Sequence, residues 1–198
     1  MAGVEYWNDR YVHNNTPWDS GQPDEHLVAV VEAGGPVGRA LEIGCGTGTN
    51  ARYLAGRGAE RVLAVDIAPT AIERARAALG DSPVELAVLD ILNDPLPEGT
   101  FDFIYDRGCL HVFDDPALRS RFASRVAALL TPGGRWLSLV GSAEGPSPAV
   151  GPPRRTLGEV CAAIEPHLQL TDARLVPFDS RALPGILGWR VLSQHRPA

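Results

Sequence analysis

The chain contains no lysine; all 18 of its basic residues are arginine, set against 24 acidic residues for a formal net charge of −6. That balance argues against a large phosphate-binding face, so nucleic acid is not an expected partner. Cysteine is scarce, with Cys45, Cys109 and Cys161 at irregular spacing. Neither a disulfide framework nor a metal site is therefore expected. No apolar run is long enough to span a bilayer. The first residues include Glu5, Asp9, Trp7 and Trp18 and lack a signal-peptide pattern. A cytoplasmic protein without a membrane partner is expected. The sequence shows no internal repeat and no signal of oligomeric state.

What is present describes one globular domain. A length of 198 residues with 44% hydrophobic and 21% charged residues suffices to bury about 70% of the unfolded surface. Runs rich in Val, Ile, Leu or aromatics predict strands at 39–43, 61–65, 84–89, 101–106 and 134–140. Helical patterns fall between them at about 50–56, 69–79 and 116–130. Pro69 and Gly80 mark the start and stop of the second. This alternation predicts parallel βαβ units in an α/β, doubly wound, mostly parallel sheet. Two further strands, 171–178 and 187–193, are expected to complete seven, the last antiparallel. A helix is expected near 24–33, and another begins at Thr156, where Thr156 and Glu159 read as a capping box. The Pro/Gly-rich stretch from Gly145 to Pro153 is either a connector or a lid. The domain divides into an N-terminal covering segment (1–36), a core (37–141) and a C-terminal part (142–198).

The most telling stretch is Leu41-Glu42-Ile43-Gly44-Cys45-Gly46-Thr47-Gly48. A strand runs into three alternating glycines and then a helix. Glycine serves where the backbone turns through positive φ or approaches a ligand closely, and the helix start leaves N–H groups free. A dinucleotide fingerprint needs a glycine or alanine where this chain has Thr49. Asp66 ends the second strand, twenty residues past Gly46, placed to accept from ribose hydroxyls, with Ile67 against one adenine face. Asp90 and Ile91 end the third strand and face the adenine. Acids at 42, 66 and 90 close three successive strands. Taken alone, Asp66 fits either a nicotinamide dinucleotide or S-adenosylmethionine (SAM).

The glycine pattern with Glu42 ahead of it resembles motif I of class I SAM-dependent methyltransferases. Tyr105-Asp106-Arg107-Gly108-Cys109-Leu110 resembles the W/Y-D-R-G-x-L element of the thiopurine S-methyltransferase family. Trp7, Tyr11 and Thr16-Pro17-Trp18-Asp19 resemble that family's N-terminal aromatic segment. The resemblance runs from about Glu5 to Val140. It implies a Rossmann-like fold, SAM as cofactor with S-adenosylhomocysteine as product, and methyl transfer to a small molecule. By position, Trp7, Tyr11 and Trp18 would cover the cofactor, and Gly44, Cys45, Gly46 and Gly48 would pass under its methionine part. Asp106 and Arg107 would stand at the cofactor edge, Arg107 meeting the cofactor carboxylate or the substrate. The plain alternative for Arg107 is an ion pair with Asp106 or Asp102.

The acceptor is a thiol, a heterocycle or an aromatic hydroxyl, and the last of these gains from a base. His111, five residues beyond Asp106, is the expected base, because an imidazole suits proton removal at neutral pH; a packing role is its alternative. Asp114 and Asp115 before Pro116 read as a helix start. Arg154 and Arg155 read as a solvated pair or as steering for an acidic substrate. Two other functions stay open: an NAD-binding oxidoreductase, and a SAM-binding protein without turnover.

Overall fold

The computed structural model describes residues 3–34, 38–145, 151, 153–178 and 185–197. Most of the Pro/Gly-rich stretch lies outside them. Seven strands form one sheet: β1 (Arg39–Ile43), β2 (Arg61–Asp66), β3 (Val84–Val88), β4 (Phe101–Arg107), β5 (Leu130–Gly141), β6 (Gln169–Pro177) and β7 (Leu187–Gln194). Their spatial order is β3-β2-β1-β4-β5-β7-β6. The pairs from β3 to β5 are parallel, and β7 runs antiparallel between β5 and β6. The doubly wound sheet with its last strand reversed is the expected architecture.

The helices are α1 (Val4–Val12), α2 (Glu25–Glu32), α3 (Thr49–Gly56), α4 (Pro69–Leu79), α5 (Pro116–Leu129) and α6 (Leu157–Ile164). Both sheet faces are covered, so β1 is buried nearly throughout, as central parallel strands are. Leu41 and Ile43 pack with Phe122 and Val126 of α5 and Val160 of α6. Ala40 packs on the other face with Leu27 of α2, Leu54 of α3 and Ile72 of α4. Deleting a buried leucine such as Leu54 to alanine costs roughly 2–5 kcal/mol in cores of this kind.

Several boundaries differ from the sequence reading. The helix α1 was not anticipated; its aromatics and charges follow no clean apolar stripe, and docking of Tyr11 on Ala68 and Ala71 holds it. The strand β5 begins at Leu130, because the chain leaves α5 directly into pairing with Phe101. The β6 strand likewise starts two residues early, at Gln169. The helix starts are as read: Asp115 Oδ1 accepts from Ala117 N–H at 2.8 Å, and the Thr156/Glu159 capping box forms reciprocally.

Candidate active site

Alternation along the strands decides which residues reach the site. Successive side chains point to opposite faces. In register, Glu42 lies beside Tyr105 and Ala64. Glu42, Asp66 and Arg107 thus stand on the face covered by α2, α3 and α4, at the carboxyl edge of the sheet. Asp106 stands on the opposite face, where Trp136 Nε1 donates to its Oδ2 at 2.9 Å and Cys109 N–H to its Oδ1 at 3.1 Å. Burial pushes Asp106 up to about 6. It braces the turn after β4 and does not line the cavity at the carboxyl edge.

That cavity, about 210 Å³, is floored by Glu42, Gly44, Cys45, Gly46 and Asn50 and walled by Tyr11, Trp18, Asp24, His26, Arg107 and Pro177. The glycine loop turns back on β2, since Gly44 and Cys45 N–H groups both donate to Val65 O. Gly44 has φ +71° and Gly46 +55°. A Cβ on Gly44 would strike the Cys109 sulfur, and one on Gly46 would stand 3.0 Å from Tyr11 Oη. Both positions therefore demand glycine. Asp66 fixes the loop: its Oδ2 accepts from Gly46 N–H and its Oδ1 from Ala68 N–H, each at 2.9 Å. Burial raises its pKa against the pull of these amides.

Glu42 is 2% exposed. Asn50 Nδ2 donates to its Oε1 at 3.1 Å, while Oε2 is buried without a partner among the described residues. Burial, opposed by the Asn50 hydrogen bond, pushes its pKa up to about 8. A buried acceptor with no partner is costly and marks where a cationic group belongs.

The N-terminal segment lies over the loop. Asn8 Oδ1 accepts from Thr70 N–H in the first turn of α4 at 2.8 Å. Tyr11 is 4% exposed and accepts from Trp18 Nε1 at 3.4 Å; burial beside Asp66 raises its pKa, so the phenol stays protonated. Trp7 packs edge-on against Trp18, outside the cavity lining. Thr47 Oγ1 donates to Asp19 Oδ2 at 2.8 Å and ties the segment to the loop.

Arg107 takes neither of the acids foreseen for an ion pair. Its Nε donates to Asp24 Oδ2 at 2.9 Å, and its guanidinium lies 4.6 Å from the Phe178 ring. Asp106 faces away from it. Asp102 sits at the far end of β4, accepting from Arg39 N–H and Thr131 Oγ1, five residues or roughly 17 Å along the strand. Asp24 also caps α2 through His26 and Leu27 N–H, and its own N–H donates to Asn50 Oδ1. A polar chain thus runs Arg107–Asp24–Asn50–Glu42 beneath the cavity.

His111 is 4% exposed and packs on Phe178, its Nδ1 accepting from Gly141 N–H at 2.7 Å. Burial, with Arg155 and Arg107 nearby, lowers its pKa to about 3. It lies outside the cavity lining, in a packing position. The adenine-side residues also stay out of the lining: Asp90 Oδ1 caps Leu92 N–H at 2.9 Å, and Ile91 packs in the core. Ile67 is half-buried. Arg154 is half-buried and Arg155 buried, and both are held by the fold. Arg154 donates to the carbonyls of Ser142 and Ala143, and buried Arg155 pairs with Asp114 at 2.7 Å. Among the lining residues that escaped the sequence reading are Asp24, His26 and Asn50. Asp24 and Asn50 carried a signal, as a cap residue and a first-turn polar residue after the glycine loop; His26 carried none.

A sheet of this order with a glycine loop under an aromatic segment defines a Rossmann-like nucleoside-cofactor domain. Residues 40–134 match the family model described as "Methyltransferase domain". The sheet is the Rossmann-like fold of methyltransferases, and the family match covers just under half of the chain. Over 139 residues it is 33% identical to a probable thiol methyltransferase 2 of Arabidopsis thaliana, covering 68% of this chain and 60% of that protein. Over 127 residues it is 34% identical to a 2-heptyl-1-hydroxyquinolin-4(1H)-one methyltransferase of Mycobacteroides abscessus, covering 63% and 55%. The chain thus spans about 60% of the length of the first of these curated relatives. Among solved structures, one described as "Conversion of a Disulfide Bond into a Thioacetal Group during Echinomycin Biosynthesis" superposes with a TM-score of 0.83 at 22% identity, over 98% of this chain and 93% of that one; this likeness speaks to the fold alone.

The residues fit SAM. The unpartnered Glu42 Oε2 suits the cofactor's ammonium, and the tight loop from Gly44 to Gly48 leaves room for its methionine part.

Proposed function

We propose that this protein transfers the methyl group of SAM to a small-molecule acceptor and that it is of the thiopurine methyltransferase type. The observation that carries the reading is the buried, unpartnered Glu42 oxygen under a glycine loop roofed by Tyr11 and Trp18. When bound, SAM supplies a carbon activated by a sulfonium leaving group; the protein supplies position and electrostatics. Glu42 receives the ammonium, and Asp66, which keeps two of its acceptor sites beyond its amide contacts, receives ribose hydroxyls. Residues 3–34 act as the cover, Tyr11 and Trp18 touching the ligand and Trp7 buttressing Trp18. Asp90, Ile67 and Ile91 form the adenine end, with Asp90 acting through the turn it caps.

The named relatives act on a thiol and on an N-hydroxyquinolone, and an acceptor of this small aromatic or thiol kind is the one proposed here. Three cysteines free of disulfides suit a reducing compartment, and the cytoplasm is the proposed location. No helix among the described residues is long and apolar enough to cross a membrane. Nothing favours the nicotinamide reading, given Thr49 in its third glycine slot.

The test is labelled-methyl transfer from SAM to an aromatic thiol and the corresponding phenol, beside the thermal shift with S-adenosylhomocysteine. A ligand at a hundredfold excess over its Kd adds about 2.7 kcal/mol. Absence of both a shift and transfer at millimolar ligand overturns the reading.

A further inference from the structure

The cavity holds an imidazole that no sequence pattern singles out. His26 stands in the first turn of α2 with its side chain 15% exposed, and its Nε2 lies 2.8 Å from Pro177 O. A carbonyl oxygen only accepts, so Nε2 carries the proton. In its neutral form the ring is thereby held in one tautomer, with the lone pair on Nδ1. Such a fixed imidazole, one nitrogen donating to a backbone carbonyl and the other basic, is the arrangement of a general base.

The charges around it indicate which acceptor needs that base. From the start of α2 come its cap Asp24 and Glu25, the latter 3.8 Å from Nε2. From β1 comes Glu42, from β4 Arg107, and from the N-terminal segment Asp19; β6 presents the Pro177 carbonyl. The Arg107 charge is offset by Asp24 at 2.9 Å. Leaving aside Glu42, which the cofactor's ammonium takes, Asp19, Asp24 and Glu25 outnumber Arg107 in the lining, which disfavours an acceptor arriving as a halide or thiolate anion. An acceptor that enters neutral, bearing its proton, meets no such penalty.

We infer that His26 is the general base of this site and that its acceptor is a neutral hydroxyl-bearing aromatic or N-hydroxy heterocycle. This rests on the methyltransferase reading. The acceptor O–H bond breaks, its proton passes to Nδ1, and the electron pair stays on the oxygen that takes the methyl group. The pair from the broken carbon–sulfur bond remains on sulfur, and water then takes the proton from Nδ1.

The variant to make is His26→Gln, whose side-chain amide still donates to Pro177 O but has no basic nitrogen. Loss of a general base costs about 10²-fold or more. Phenol methylation is expected to fall by at least that factor, with S-adenosylhomocysteine affinity within twofold of wild type and aromatic-thiol methylation above the thiol's pKa little changed. The acidic limb of the wild-type pH–rate profile for the phenol is expected to vanish in the variant. Equal losses for phenol and thiol, or an unchanged limb, overturn the inference. Independently of turnover, ¹⁵N spectra of labelled protein at neutral pH should show His26 protonated on Nε2; an Nδ1–H form overturns it too. Failure of the wild type to bind S-adenosylhomocysteine would instead sink the methyltransferase reading.

Discussion

Glu42 offers the sharpest quantitative test of the site. Its carboxyl is pushed up to about 8 by burial, so at pH 7 roughly nine in ten molecules of the free protein carry a proton there. An ammonium within about 4 Å at an effective dielectric near 20 contributes on the order of 4 kcal/mol, equivalent to about three pKa units. Binding of S-adenosylhomocysteine, whose amino group would meet Oε2, should therefore ionise Glu42 and expel about 0.9 proton. Calorimetric titration at pH 7 in two buffers of different ionisation enthalpy measures that number directly. At pH 9 Glu42 is already ionised, and the release should fade. The Glu42→Gln variant should show none at either pH and bind about 1–3 kcal/mol more weakly, the cost of a mismatched buried polar contact. Stability gives a second check. The folded chain holds a proton that the unfolded chain gives up between its ordinary 4.5 and about 8, so this contribution is full below 4.5 and lost as pH rises through 8. The variant should lack that decline. A wild-type release of zero, or one equal to the variant's, refutes the placement of the cofactor's amine at Glu42.

Three other outcomes follow from the geometry. Asp66→Ala removes the acceptor of the Gly46 and Ala68 amides; it should weaken S-adenosylhomocysteine binding by about 1–3 kcal/mol, and unchanged affinity by calorimetry would take Asp66 out of the site. His111 is buried neutral with its pKa lowered to about 3, so its contribution is present above pH 6.5 and lost as pH falls toward 3. His111→Gln should blunt acid unfolding while leaving the thiol-to-phenol activity ratio unchanged; a selective loss of phenol methylation would restore the base role. Arg107→Ala and Asp24→Ala should each lower the melting temperature and couple in a double-mutant cycle by about 1–3 kcal/mol, the range of a charged hydrogen bond. Strict additivity would mean that the pair seen here does not form in solution.

The positions of the first five strands, the glycine loop and the acids at 42 and 66 were legible in the sequence, because each depends on a local pattern. Apolar runs bounded by turn residues, glycines at positive φ and the Thr156/Glu159 cap are decided within a few neighbours. Even the parity that puts Glu42 and Asp66 on one face follows from strand geometry. Tertiary structure decided what those patterns leave open. Asp106 and Arg107 are adjacent in sequence, yet the pleat sends one to Trp136 and the other to the cavity. The partner of Arg107 is Asp24, 83 residues away, joined to it only when α2 packs on the sheet. His111 is buried against Phe178 outside the cavity lining, and His26 takes its place from Pro177, 151 residues distant. Long-range contacts of that kind arise from packing two sheet faces at once, and no window along the chain contains them.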